Sequence, residues 1–365
     1  MASPAGHMLK DALNLMSLFR KNIDALEAYK PGEQPIAGAK VVKLNTNENP
    51  YPPSPRAVDV LRGFDADLLR RYPHPHAQRT REAAARLCDV PPEWVLVGNG
   101  SDDLLTMIMR AASQPGRRVA FPMPTYVLYR TLAEIQDAEV VEVPFDEDYN
   151  LPLEALVEVG GAVTLIASPN SPSGNRFDNV QLGELAQRLD GLVVVDEAYV
   201  DFASGSALEL VCEFENVLIL RTLSKGYSLA GLRVGFAIGQ PRIIHGLAKV
   251  KDSYNVDAVA DLVAAAAIDD QAHKDANAEQ IKASRAALAE QLEALGFRVW
   301  SSESNFLLVR PSEGNAEQLY LGLKKRGILV RYFKQPRLDD KLRITVGTEQ
   351  DNATLVAALG ELLRT

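Results

Sequence analysis

Three stretches of the chain put chemically able side chains just after apolar runs. Asp196-Glu197-Ala198-Tyr199 follows Val193-Val194-Val195, and Ser224-Lys225-Gly226 follows Arg221-Thr222-Leu223, with Arg233 close behind in a glycine-containing segment. The third, Ser168-Pro169-Asn170-Ser171-Pro172-Ser173-Gly174, follows the apolar run 162–167. Singly, each has a plain explanation. An acid after an apolar strand is most often a cap, a loop lysine is most often a solvated charge, and a Ser-Pro-Asn cluster is a turn. Together they form a set that does chemistry. A lysine amine condenses with an aldehyde, is displaced by a substrate amine and is then free to move a proton. A carboxylate such as Asp196 keeps a pyridinium nitrogen protonated, so that the ring accepts electrons. Tyr199 is placed to reach the ring oxygen. Ser224 and Arg233 suit a phosphate, through charge-assisted hydrogen bonds of about 1.5–3 kcal/mol each. These are the demands of a pyridoxal 5'-phosphate site centred on Lys225.

A further stretch, Gly98-Asn99-Gly100-Ser101-Asp102, follows the strand expected at 94–97 and opens a helix. Free N–H groups at such a start suit the same phosphate, which makes Gly100, Ser101 and Asp102 candidates. The run also begins like a dinucleotide fingerprint, but Asp103 stands where its third glycine belongs, so a dehydrogenase is disfavoured. His74 and His76 flank Pro75 without an evident third ligand, and no metal site is expected.

The elements that must position these residues are legible too. Apolar runs at 162–167, 192–195 and 217–220 lack alternation, as strands covered on both faces do. Helical spacing at 181–189, and in Leu104, Met107, Ile108 and Ala111, places helices between strands. The expected fold is therefore α/β, with a mostly parallel central sheet flanked by helices. Ligands bind such sheets at the C-terminal ends of their strands, where every candidate lies. The tail differs. A long helix at 277–295 ends at Gly296, and strands at 306–310, 328–331 and 342–346 alternate with two more helices in a smaller α+β unit. The expected division is an N-terminal segment 1–40 packing on the small unit or a partner, a large cofactor-binding domain 41–270 and a small domain 271–365.

Composition narrows the partners. A chain of 365 residues with net charge -9 lacks the clustered cations that nucleic acid demands. No apolar run approaches the ~20 residues of a spanning helix, and no secretion signal is evident, so no membrane is expected. Two cysteines are too few for a disulfide framework, and a cytoplasmic location follows. Met8 is a second candidate start. A pyridoxal-binding regulator would need a basic DNA-binding module, for which the chain has no spare segment.

Leu44-Asn45-Thr46-Asn47-Glu48-Asn49-Pro50-Tyr51, Pro124-Thr125-Tyr126, Asp196-Glu197-Ala198-Tyr199 and Ser224-Lys225 resemble the motifs of fold-type I, class-II pyridoxal-phosphate-dependent aminotransferases. The likeness is greatest to the histidinol-phosphate aminotransferase family, and it runs from Tyr29 almost to the C-terminus. It implies transamination between L-histidinol phosphate and glutamate or 2-oxoglutarate, in histidine biosynthesis. It implies that Tyr126 stacks on the pyridine ring and that Tyr51 reaches the cofactor phosphate of a neighbouring subunit, hence a homodimer. It also implies that Arg343 grips a carboxylate or phosphate, that Arg331 and Tyr29 assist, and that Asn47 lies on the substrate side. The chain departs from the pattern where the family often has two asparagines before Pro-Thr-Gly, the second bonding the ring oxygen. Here Asn170 precedes Ser171, and Asn170 is the favoured candidate. Aromatic or broad-range aminotransferases and threonine-phosphate decarboxylases share the motifs and are the alternatives.

Overall fold

The structure, a computed structural model, describes residues 17–27, 32–35, 38, 41–312 and 315–364. In chain order the strands are β1 (Val42–Leu44), β2 (Val95–Gly98), β3 (Arg118–Met123), β4 (Glu139–Pro144), β5 (Val163–Ala167), β6 (Leu192–Asp196), β7 (Val217–Thr222) and β8 (Gly235–Gly239). The tail contributes β9 (Phe297–Val299), β10 (Phe306–Pro311), β11 (Ile328–Tyr332) and β12 (Leu342–Thr345). Strands β2 to β8 form one sheet in the order β2-β8-β7-β6-β5-β3-β4. Only β8 runs against its neighbours, antiparallel to both β2 and β7.

The apolar runs fail to alternate because both faces of this sheet are covered. Successive side chains of a strand point to opposite faces. Val193 and Val195 of β6 accordingly enter one core with Ile219, Leu182 and Leu185, while Val194 enters another with Leu165, Leu218 and Ile108. The helices Asn179–Arg188 and Ser101–Ala112 supply the covering residues on the two sides.

The second sheet has the order β1-β11-β12-β10-β9. The long helix before it spans Gln271–Ala294, starting earlier than the sequence pattern suggests. One boundary needs correction. Residues 42–44, assigned above to the large domain, pair in parallel with β11, Val42 opposite Ile328 and Leu44 opposite Val330. Leu44 is buried in the tail's core with Val330 and Ile344. A three-residue strand is too short to show periodicity, and its partner lies far along the chain, so local pattern could not assign it.

The described part of the N-terminal segment also docks unexpectedly. Arg20 Nη2 donates to Ile135 O at 2.8 Å and Asn22 Nδ2 to Glu134 O at 2.8 Å, satisfying the last carbonyls of the helix Leu128–Ile135. That helix belongs to the large sheet, not to the tail. Glu33 then bridges to Lys324 of the tail at 2.7 Å. Met8 and Tyr29 lie outside the described residues.

Candidate active site

Strands β2, β3, β5, β6 and β7 all end at the same edge of the large sheet, facing the tail's sheet. There a cavity of about 1060 Å³ opens, lined by Lys225, Asp196, Tyr199, Tyr126, Ser224 and Arg233 among others. Ser101, Asp102, Asn47, Arg331 and Arg343 line it as well. Its size is at the upper end for small-molecule sites.

Lys225 follows directly on the β7 exit. Its Nζ donates to Thr46 O at 3.2 Å and lies 5.7 Å from the centroid of the Tyr199 ring. Asn49 Nδ2 donates to the carbonyls of Lys225 and Gly226, both at 3.2 Å, holding the loop. A Cβ on Gly226 would fall 2.3 Å from Asp201 Oδ2, so the neighbouring carboxylate takes the space a side chain would need.

Asp196 ends β6 and is 5 % exposed. It accepts from Tyr129 Oη at 2.8 Å and from the Ala198 N–H at 3.1 Å. Burial pushes its carboxyl up to about 6, and those two hydrogen bonds pull the other way. Tyr129 is wholly buried, and burial with the adjacent carboxylate drives its phenol well above its usual range. No described cation pairs with Asp196, so a buried carboxylate stands at the cavity wall with room for a positively charged partner. Sequence reading missed Tyr129, although it sits one helical turn beyond Tyr126.

Arg233 Nη1 donates to Ser224 Oγ at 3.3 Å and Nη2 pairs with Asp102 at 3.2 Å. Gly100 has φ 81°, and a Cβ there would fall 2.7 Å from Arg233 Nη2. No side chain caps the start of the helix Ser101–Ala112. A guanidinium, a hydroxyl and uncapped helix N–H groups thus converge where only glycine leaves space, which fits an anion. Gly100 shapes this cradle without lining the cavity itself.

The turn after β5 reverses an expectation. Asn170 is 0 % exposed, accepts from Thr125 Oγ1 at 2.7 Å, and donates to Pro124 O at 3.2 Å and Ser173 Oγ at 2.7 Å. Both ends of its amide are committed to the protein, and it does not line the cavity. Ser171 does, and its Oγ accepts from Arg343 Nη1 at 3.0 Å. Asn170→Ala is expected to lower the unfolding free energy by about 1–3 kcal/mol, since Thr125 and Pro124 lose that buried partner. Chemical denaturation checks this, with Ser171→Ala expected to stay within about 1 kcal/mol of wild type.

Arg331 and Arg343 stand directly opposite each other on β11 and β12. Like charges across a strand pair repel, which an anion held between them relieves. Phe333 lies 5.2 Å from the Arg331 guanidinium and 5.6 Å from that of Arg343. Tyr51 does not line this chain's cavity but packs beside Phe202, Ala278, Ile281 and Val346. Asn47, expected on the substrate side, is 1 % exposed and spends its amide inside the protein, on Tyr199 and Thr345.

Residues 39–359 match the family of class I and II aminotransferases. The chain belongs to that family. It is 57% identical over 350 residues to histidinol-phosphate aminotransferase 1 of Trichormus variabilis, covering 96% of this chain and 100% of that one. The histidinol-phosphate aminotransferase of Geotalea daltonii is 41% identical over 348 residues, 95% of this chain and 100% of that one. Among solved structures, histidinol-phosphate aminotransferase from Sinorhizobium meliloti in complex with pyridoxal-5'-phosphate aligns with a TM-score of 0.88 and 26% identity, covering 96% of this chain and 99% of that one. L-threonine-O-3-phosphate decarboxylase from Porphyromonas gingivalis shares the fold at a TM-score of 0.79 and 21% identity, covering 89% and 100%. The chain is thus an aminotransferase of fold type I whose cofactor is pyridoxal 5'-phosphate, and the amine, carboxylate and anion cradle of its cavity fit that group.

Proposed function

We propose that this aminotransferase moves an amino group between L-histidinol phosphate and 2-oxoglutarate, giving imidazole acetol phosphate and L-glutamate, in histidine biosynthesis. The facing pair Arg331 and Arg343 carries the reading, because both amino donors are anions and neither arginine is needed by the cofactor phosphate. In this reading Arg343 takes the α-carboxylate of glutamate and the phosphate of the other substrate in turn, and Arg331 assists. The named relatives support the substrate pair.

Bound pyridoxal phosphate supplies the aldehyde and an electron sink. The protein's residues do the rest. Lys225 Nζ anchors the cofactor and then holds and moves the proton at the substrate carbon, in both half-reactions of a ping-pong cycle. Asp196 keeps the ring nitrogen protonated. Tyr126 would pack on the ring face, and Tyr199 would face the ring oxygen. Ser171 replaces Asn170 as the turn residue turned toward the cavity. Arg233, Ser224 and the first N–H groups of the helix Ser101–Ala112 hold the phosphate. Residues 271–365, joined by β1, act as the substrate-gripping unit against the cofactor-holding remainder.

A homodimer belongs to the same reading. Exposed Leu69 and Tyr72, the latter stacked on exposed Tyr254 at 4.6 Å, form an apolar surface of the large unit that a second copy would cover. Tyr51, which does not reach its own cavity, would then serve the partner. A cytoplasmic location accords with the free thiol of exposed Cys212. No helix among the described residues is long and apolar enough to cross a membrane.

Steady-state rates with histidinol phosphate, phenylalanine and threonine phosphate, each with 2-oxoglutarate, test the assignment. Histidinol phosphate should be preferred, and Arg343→Ala should lower its kcat/KM by roughly 30-fold or more, the equivalent of about 2 kcal/mol or more of lost charge-assisted binding. Far better turnover of phenylalanine would make the enzyme an aromatic aminotransferase. Release of carbon dioxide from threonine phosphate would make it a decarboxylase.

A further inference from the structure

The stretch Asn45-Thr46-Asn47 runs between the tail's strands and Lys225, and each of its carbonyls receives a side-chain donor. Asn45 O accepts from Arg343 Nη2 at 2.9 Å, Thr46 O from Lys225 Nζ at 3.2 Å, and Asn47 O from Asn305 Nδ2 at 3.0 Å. Asn47 is buried with φ 57°, a left-handed conformation that asparagine tolerates better than most residues.

Its side chain is oriented by Thr345 of β12. Thr345 Oγ1 accepts the backbone N–H of Asn47 at 3.0 Å, and its hydroxyl proton goes to Asn47 Oδ1 at 3.0 Å. Among the described residues the Thr345 hydroxyl proton finds no acceptor other than this side chain, so the amide presents its oxygen to Thr345. Asn47 Nδ2 is left facing Tyr199 Oη at 3.0 Å, where it donates. The tyrosine oxygen is therefore an acceptor toward Asn47, and its own proton is turned away, toward the cavity.

We propose that Asn47, oriented by Thr345, is a positioning residue that aims the Tyr199 hydroxyl proton into the cavity and so sets the proton affinity of the cofactor–lysine linkage. The inference rests on the reading in which Tyr199 faces the cofactor's ring oxygen. A phenol that donates there stabilises the ring oxygen's negative charge and eases loss of the nearby proton. Were the direction of the Asn47 contact reversed, Tyr199 would donate away from the cofactor and the linkage would keep its proton to higher pH.

The test is a pH titration of the visible absorbance of the bound cofactor. Asn47→Asp has nearly the same shape but presents an acceptor to Tyr199, and its midpoint should rise by about one unit or more. Asn47→Ala should raise it less. Thr345→Val, which frees the amide to turn, should move it the same way, whereas Thr345→Ser, which keeps the hydroxyl, should restore the wild-type midpoint. Should Asn47→Asp fail to fold, Thr345→Val reads the same device with Asn47 in place. Midpoints unchanged in variants that still bind the cofactor would overturn the proposal and leave Asn47 a merely structural residue. Failure of the cofactor reading looks different: the wild-type chain itself would then lack a titratable visible band that disappears in Lys225→Ala.

Discussion

Lys225→Ala is expected to fold and yet lose turnover by at least about 10²–10⁴-fold, the contribution of positioned proton transfer alone. The loss should be larger than that floor, because the same amine also forms the bond to the cofactor. Structure should suffer little. Among the described residues the Lys225 side chain makes one hydrogen bond, to Thr46 O, while its loop is held through its backbone by Asn49. Lys225→Arg keeps a cationic donor near Thr46 but has no amine to condense, so it should be as inactive as the alanine variant. Hydride trapping followed by peptide mass spectrometry checks the point. The wild-type chain should carry the cofactor mass on the peptide containing Lys225, and neither variant should carry it. The mass on another side chain would end the assignment of this lysine, whatever the family.

Asp196→Asn should separate function from stability. Removing the charge opposite the ring nitrogen should lower kcat by roughly 10²–10³-fold, the scale for loss of one preorganised electrostatic contact. Stability should respond differently. The Asp196 carboxyl is raised from its ordinary 3.8 to about 6 in the folded chain, chiefly by burial. The folded state thus holds a proton that the unfolded state has already lost between those values. Its stabilising contribution is full below pH ~4 and disappears as pH rises through ~6, a change on the order of 3 kcal/mol. Asparagine does not titrate, so the cofactor-free variant should lack that part of the slope. Relative to wild type it should gain stability as pH rises across the window. Denaturation curves at several pH values measure the difference. Bound cofactor, by giving the wild-type carboxylate a cationic neighbour, should flatten its slope in the same range. A variant and wild type with parallel pH profiles would mean that Asp196 is not the buried titrating group.

Much of this was written in local sequence. Lys225, Asp196 and Ser224 sit at the ends of apolar strands whose lack of alternation reports burial on both faces, with Arg233 in the segment that follows, and strand ends are where a parallel sheet presents its ligands. The family likeness added Tyr126, Arg331 and Arg343, residues whose neighbours alone mark them as ordinary. Local pattern carries this far because backbone geometry and burial periodicity are properties of consecutive residues.

Tertiary structure decided which polar atoms are still available once the chain is packed. Asn170 and Ser171 are adjacent and equally suited to a turn, yet Asn170 is consumed by Thr125, Pro124 and Ser173, leaving Ser171 toward the cavity. Asn47, expected on the substrate side, lines the cavity, and there Thr345, distant in the chain, donates to its amide oxygen and leaves its amide nitrogen facing Tyr199. The strand β1 and the proton donor Tyr129 have the same origin: their roles come from partners far off in sequence. Residue type sets what a side chain can bond. Only the packed fold sets which of those bonds are already made, because burying a polar group without a partner costs more than the residue's local preference can repay.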